Sequence, residues 1–142
     1  MIFIIVLVIF SLDQLTKILI TKNLFLYQSV PVIKNIFHIT LVRNTGAAFG
    51  MFKNQLYLFI FTSIGAIVLI LLDLKERRGK KLDIYSLSLA FILAGASGNL
   101  VDRIRFGCVI DFLDFRIWPV FNIADSAITI GAALLGWKLC IR

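Results

Sequence analysis

The chain is poor in the residues from which metal centres, disulfide scaffolds and solvated surfaces are made. It holds one histidine, two cysteines and 16% charged residues in a length of 142; a soluble domain carries about 25% charged residues. Cys108 and Cys140 are too few for a disulfide framework or a cysteine-rich metal site. They fall at opposite ends of the last hairpin, so a bridge, which needs Cα atoms within about 7 Å, is not expected. His38 has no metal-ligand partner at recognisable spacing and is read as a partly exposed strand residue. Neither a metal nor a cofactor is expected, and nothing points to nucleic acid.

Apolar residues take the place of what is missing. They make up 60% of the chain, with a mean hydropathy of +0.96, and they gather in four blocks at approximately 2–21, 55–74, 83–103 and 122–141. Each block is near the ~20 residues that a helix needs to cross a bilayer. The expected fold is an all-α membrane protein: four transmembrane helices with a small extracytoplasmic β-containing loop domain, forming one integral membrane domain over 1–142. The first block, Met1–Phe10, has no basic segment before it and no small-residue cleavage site after it, so it is read as a retained helix.

Charge sets the expected orientation. The linker from Lys75 to Lys81 carries five basic residues in seven, which makes loop 75–82 and both termini cytoplasmic. Lys138 and Arg142 agree with this. Loop 22–54 has no acid and four bases, Lys22, Lys34, Arg43 and Lys53, but these are dispersed, and it is read as outer together with loop 104–121. Tyr27, Tyr57 and Trp118 then fall at outer ends and Tyr85 and Trp137 at inner ends, as an aromatic belt requires.

Loop 22–54 is itself apolar. Ile36 to Val42 is β-branched and aromatic, which predicts one or more strands. Asn44-Thr45-Gly46 gives a turn and Ala47-Ala48-Phe49-Gly50 a small-residue stretch. A short sheet resting on the membrane surface fits. The second outer loop sets Asp111, Asp114 and Arg116 among Val109, Ile110, Phe112 and Trp118.

Within the apolar blocks sit groups that lipid does not tolerate. An ionisable side chain in hydrocarbon costs roughly 2.5–3.5 kcal/mol on insertion scales, so it is kept only where it is paired or working. At ~1.5 Å of rise per residue, Asp13 and Lys17 lie roughly 16 and 22 Å into the first helix, and Asn99 and Asp102 roughly 24 and 28 Å along the third. Asn122 and Asp125 open the fourth from outside. Three helices thus bring polar groups to one level near the outer interface.

Some of these groups have structural readings. Asp13 and Lys17 stand at i and i+4 with the acid first, the favoured orientation for an ion pair locking the first helix. Asn99, Asp102 and Arg103 share a face, as a polar clasp or a substrate-binding set. Gly95-Ala96-Ser97-Gly98 and Gly131-Ala132-Ala133 allow close helix packing. Asp125 lies in the first turn of the fourth helix with Asn122 as a candidate N-cap. Asp111, between Ile110 and Phe112, should have its pKa raised by desolvation. Two carboxylates in opposed environments suit general acid–base chemistry. The residues alone leave Asp114 open as an alternative to Asp111.

Five blocks in order carry a resemblance: Asp13-Gln14-Leu15-Thr16-Lys17; Asn44-Thr45-Gly46-Ala47-Ala48-Phe49; Gly98-Asn99-Leu100-Val101-Asp102-Arg103; Val109-Ile110-Asp111-Phe112; and Phe121-Asn122-Ile123-Ala124-Asp125-Ser126-Ala127. Together they resemble the bacterial lipoprotein signal peptidases, signal peptidase II. The resemblance implies an intramembrane aspartyl endopeptidase that removes signal peptides from diacylglyceryl-modified prolipoproteins immediately before the lipidated cysteine. It implies a catalytic dyad at Asp111 and Asp125, in place of Asp114, and supporting or substrate-binding positions at Asp13, Lys17, Asn44, Gly46, Asn99, Asp102, Arg103 and Asn122. It also implies a site near the outer face of the cytoplasmic membrane, lipidated prolipoproteins and membrane lipids as partners, and a monomer without cofactor. The family's glycine pair reads Gly95-Ala96 here, and the interval between the two aspartates is short. The rival reading is a small proton- or cation-coupled transporter, since intramembrane acids also serve as ion relays.

Overall fold

A computed structural model describes residues 1–46, 55–77, 79 and 81–141. Among these residues are four helices, α1 (Ile2–Asn23), α2 (Leu56–Glu76), α3 (Ile84–Phe106) and α4 (Ile123–Cys140), and three strands, β1 (Ser29–Ile33), β2 (Phe37–Asn44) and β3 (Val109–Asp114), in the order α1-β1-β2-α2-α3-β3-α4. All four helices are long and apolar enough to cross a membrane. At ~1.5 Å per residue they measure roughly 27–35 Å, the thickness of a hydrocarbon core. The stretch Ala47–Gly50 and the linker residues Arg78 and Lys80 lie outside the described residues.

Helix ends follow local chemistry. Asp83 caps α3 by accepting the Ser86 N–H at 2.9 Å, and Gly107 ends it in the left-handed region at φ 70°, where a side chain would be strained. Asn122 and Asp125 form a reciprocal capping box at the start of α4. Two of the polar residues at the shared level therefore also define where the last span begins.

Helix α3 is the centre of the bundle. It packs on α1, α2 and α4, and half of its most apolar window is buried inside the protein, against none for α2. The outer helices turn large side chains such as Phe3, Leu7, Phe61 and Leu69 outward, where lipid is their solvent. Contact between α3 and α4 is close because small residues line it. Ala90, Ala94 and Ala124 are fully buried. A Cβ on Gly131 would meet the Ser88 carbonyl oxygen and Ile92 Cγ1 at 2.7 Å, and one on Gly98 would meet Asp13 Oδ2 at 2.5 Å.

The sheet is antiparallel in the order β1-β2-β3. Strand β2 pairs with β3 so that His38 faces Asp114, Val42 faces Asp111 and Asn44 faces Val109. β3 corrects the reading of 104–121 as loop throughout. Its residues are buried almost without alternation, so the period-two signal of a half-exposed strand is missing from the sequence. Pro31 lies in the edge strand β1, where a missing donor is tolerated. Leu41 and Ile110 of the sheet, with Cys108, pack on Ile20 and Leu24 and so seat the sheet on the C-terminal end of α1.

Gly131→Ala should therefore push α3 and α4 apart. Two of the three nearest atoms are backbone and cannot give way, and overpacking of this kind costs about 1–3 kcal/mol. A melting temperature several degrees below that of the parent protein in detergent is expected. An unchanged one would mean that the two helices are not held at this separation.

Candidate active site

A buried cation organises the level at which the polar groups meet. Lys17 Nζ lies 2.9 Å from Asp13 Oδ2, 2.8 Å from Asp102 Oδ2 and 3.1 Å from Asn99 Oδ1. An ammonium has three hydrogens to donate, and all three have acceptors. The expected pair of Asp13 and Lys17 is thus a cluster joining α1 to α3, with Asp13, Asp102 and Lys17 only 0%, 1% and 4% exposed. Gln14, which sequence reasoning did not single out as a site residue, adds donors to Asp13 Oδ2 at 3.1 Å and Asp102 Oδ1 at 3.2 Å. Its position inside an apolar helix beside Asp13 was the available signal.

The two acids of this cluster reach on to the backbone. Asp13 Oδ1 accepts the N–H of Ala124 at 2.9 Å, and Asp102 Oδ2 accepts the N–H of Ile110 at 3.1 Å. Ala124 immediately precedes Asp125, and Ile110 immediately precedes Asp111. The backbone one residue upstream of each of these aspartates is therefore held by a buried carboxylate.

Asn122 joins the pair. Its Nδ2 donates to Asp111 Oδ1 at 2.7 Å, and its Oδ1 accepts the N–H of Asp125 at 2.8 Å. Asn99 Nδ2 donates to Asp125 Oδ1 at 2.7 Å, and Asn44 Nδ2 donates to Asp111 Oδ2 at 3.0 Å. Gly46 is buried and gives its N–H to Asn44 Oδ1 at 3.0 Å, the turn expected there. Burial and the nearby charge of Asp125 push the Asp111 carboxyl up to about 7, against the opposing donors Asn44 and Asn122. It is a carboxyl able to hold a proton near neutrality.

Asp114 belongs elsewhere. It is partly desolvated, yet donors from Thr40 at 2.7 Å and from Arg116 at 2.9 and 3.0 Å hold it below the usual carboxylate range. Asp102 pairs across helices with Lys17, whereas the contact of Arg103 across helices is with the Phe59 ring of α2, 4.7 Å from guanidinium to centroid. Asn44, Gly46, Asn99, Arg103 and Asp125 open together onto a cavity of about 750 Å³. Phe115, Trp118, Phe121 and Ile128 give it an apolar wall, which could not be assembled from the sequence because it draws on the β3–α4 connection and a face of α4.

A family model for signal peptidase (SPase) II matches residues 5–141. The lipoprotein signal peptidase of Halothermothrix orenii is 49% identical over 135 residues, covering 95% of this chain and 92% of that one. That of Syntrophus aciditrophicus is 50% identical over 133 residues, covering 87% and 82%. Two solved bacterial membrane enzymes are similar in fold. One has a TM-score of 0.88 at 31% identity, covering 98% of this chain and 87% of that one, and the other 0.85 at 30%, covering 99% and 93%.

Removing the cation should expose the cost of the two acids. Breaking a buried pair from one side costs about 3–5 kcal/mol, because a charge is left without its partner. Lys17→Met should lower the melting temperature sharply, and adding Asp13→Asn should recover part of the loss, since the amide oxygen can still accept from Ala124. Unchanged melting in both variants would show that the cluster does not hold the helices.

Proposed function

We propose that this chain, which belongs to the signal peptidase II family, works through Asp111 and Asp125 as its catalytic dyad. The chain is an aspartic-type endopeptidase of membrane-embedded helical fold. The transporter reading has no support, and the polar groups gather at one level instead of crossing the bundle. One observation carries the dyad: Asn122 donates from its side-chain amide to Asp111 Oδ1 and from its backbone N–H to Asp125 Oδ2, and so bridges the two carboxylates beside a largely apolar cavity.

The two carboxylates act on each other electrostatically and do not both ionise easily, so the pair holds one proton at rest. One deprotonates a water that attacks the scissile carbonyl, and the protonated one polarises the carbonyl oxygen. Asn44, Asn99 and Asn122 orient the pair, Gly46 orients Asn44, and Asp13, Lys17 and Asp102 fix the backbone on which both aspartates stand. Arg103 is the cationic wall of the cavity, able to hold substrate backbone or ester oxygens.

The substrates are prolipoproteins. We take the finer form to be a diacylglyceryl-modified precursor cut immediately before its lipidated cysteine. Acyl chains remaining in lipid contribute ~0.8 kcal/mol per buried CH₂, and binding energy from that remote anchor can position the scissile bond. The same reading makes the chain a monomeric, single-domain, multi-pass protein of the bacterial cytoplasmic membrane, with both termini inside and the dyad near the outer face. It contacts membrane lipids directly.

Asp111→Asn and Asp125→Asn should each lower cleavage of a diacylated prolipoprotein by several orders of magnitude, since the amide can neither take nor give the proton. Asp114→Asn should keep substantial activity. An indispensable Asp114 beside an expendable Asp111 would overturn the dyad. In a second test, an unlipidated precursor of the same sequence should be cleaved far more slowly, and Asn44→Ala should weaken the lipidated substrate most. Equal rates would remove the anchoring role. A reporter fused after Lys81 should read cytoplasmic and one near Arg116 external; the inverse pattern would put the dyad on the wrong face.

A further inference from the structure

Three asparagine amides donate to the aspartate pair, and each is fixed in orientation by a group whose role is unambiguous. Asn44 Oδ1 is held by the Gly46 N–H and Asn122 Oδ1 by the Asp125 N–H. Asn99 Oδ1 is held by Lys17 Nζ at 3.1 Å. Since an ammonium only donates, Asn99 cannot flip without setting its own NH₂ against Lys17. Its Nδ2 must therefore point at Asp125 Oδ1, where it is 2.7 Å away.

Only this third amide is backed by a charge. Asp111 receives its two side-chain donors from amides anchored on neutral backbone groups. Asp125 receives its donor through two hydrogen bonds in series from a buried cation, and hydrogen bonds in series polarise one another. Asp125 also accepts the Asn122 N–H at 3.3 Å and lies in the first turn of α4, where the helix dipole favours negative charge. Asp111 is on a strand, away from any helix terminus. Lys17 acts on it through space as it does on Asp125, and Asn122 also donates to Asn99 Oδ1 at 3.2 Å. Among the described residues, however, no amide that accepts from Lys17 donates to Asp111. The other charged groups at this level do not reverse the asymmetry. Asp13 of α1 and Asp102 of α3 occupy the two remaining hydrogens of Lys17, and Arg103 of α3 acts on both aspartates.

We propose that Lys17, acting through Asn99, is a positioning residue that assigns the single proton of the dyad, leaving Asp125 as the base and Asp111 as the acid. The proposal rests on the reading of Asp111 and Asp125 as the dyad. Asp125 takes a proton from water as the water oxygen bonds to the carbonyl carbon, and the carbonyl oxygen takes the proton of Asp111. The gem-diol then collapses. Asp125 gives its proton to the amide nitrogen as the C–N bond breaks, and one hydroxyl returns its proton to Asp111. Both carboxyl groups end as they began, and water is divided between the two products.

The test is the pH dependence of kcat/KM for a diacylated prolipoprotein, measured with the purified full-length chain. Asn99→Leu keeps the side-chain volume and leaves Lys17 with its two acids. Without the Asn99 donor Asp125 is harder to ionise, so the acid limb should move up by about one pH unit. The variant should lose about tenfold on the acidic side, with the loss shrinking as pH rises. Lys17→Arg, which keeps the cation, should leave the limb in place. A folded Asn99→Leu that loses activity equally at every pH overturns the proposal. Infrared spectra of the single dyad variants test it with the network intact, and they decide the matter if Asn99→Leu does not fold. The stretch of a protonated carboxyl is expected in Asp125→Asn and not in Asp111→Asn at neutral pH, and the reverse assigns the roles the other way. Turnover surviving in either dyad variant would instead sink the dyad itself, whereas an unmoved acid limb with both variants dead sinks only the role of Lys17.

Discussion

The arrangement of the polar level depends on a single ammonium group removed from water. Lys17 is tolerable there because each of its three hydrogens meets an oxygen, two of them charged. An ion taken out of water costs several kcal/mol unless geometry and further hydrogen bonds compensate, and here the compensation propagates. The carboxylates that neutralise Lys17 use their other lone pairs on the N–H groups of Ala124 and Ile110. The cation thus fixes the start of α4 and the middle of β3 at once. Asp111 and Asp125 come from elements with no reason of their own to meet, and their approach is set by one shared counter-ion.

This explains why α3 must be the buried helix and why its neighbours carry so little polar surface. α3 contributes Asn99 and Asp102 to the cluster and Arg103 to the cavity, and Gly98 lets Asp13 come into contact with the helix backbone. A larger residue at 98 would displace the carboxylate that grips Ala124. Packing and electrostatics are therefore not separable at this point. Helix α2, by contrast, lies on α3 with most of its surface exposed, and its reach to the polar level is the Phe59 ring beneath Arg103.

Much of this was legible in the residues, for identifiable reasons. Long apolar runs announce four spans, and charges inside them are conspicuous because lipid penalises them, so Asp13, Lys17, Asn99 and Asp102 could be placed at a common depth by counting. The i, i+4 spacing exposed the bond between Asp13 and Lys17, and the Asn122 cap could be read from its place before the fourth helix. What could not be read depends on contacts between distant segments. Nothing local says that Lys17 divides itself between Asp13 and Asp102, or that the two acids reach the residues before Asp111 and Asp125. β3 escaped because a strand buried on both faces has no alternation to detect. Choosing Asp111 over Asp114 by physics also required the fold. Both acids flank the same apolar core of the strand; Arg116 is near Asp114 in sequence, but only the tertiary structure brings Thr40 to Asp114 and the asparagines to Asp111.

The use of asparagine around the pair follows from what the chemistry demands of the neighbours. A full positive charge against each aspartate would hold both as carboxylates and leave no acid, while purely apolar neighbours would keep both protonated and leave no base. An amide donates without titrating, so it can steady a carboxylate in either state. Three amides surround this pair, and the cation is kept one amide away from Asp125. On the proposed dyad, that spacing would attenuate its field enough for a proton to remain on the pair while still making the two carboxylates unequal. A buried charge placed at one remove is then a means by which two identical side chains could perform opposite halves of one reaction.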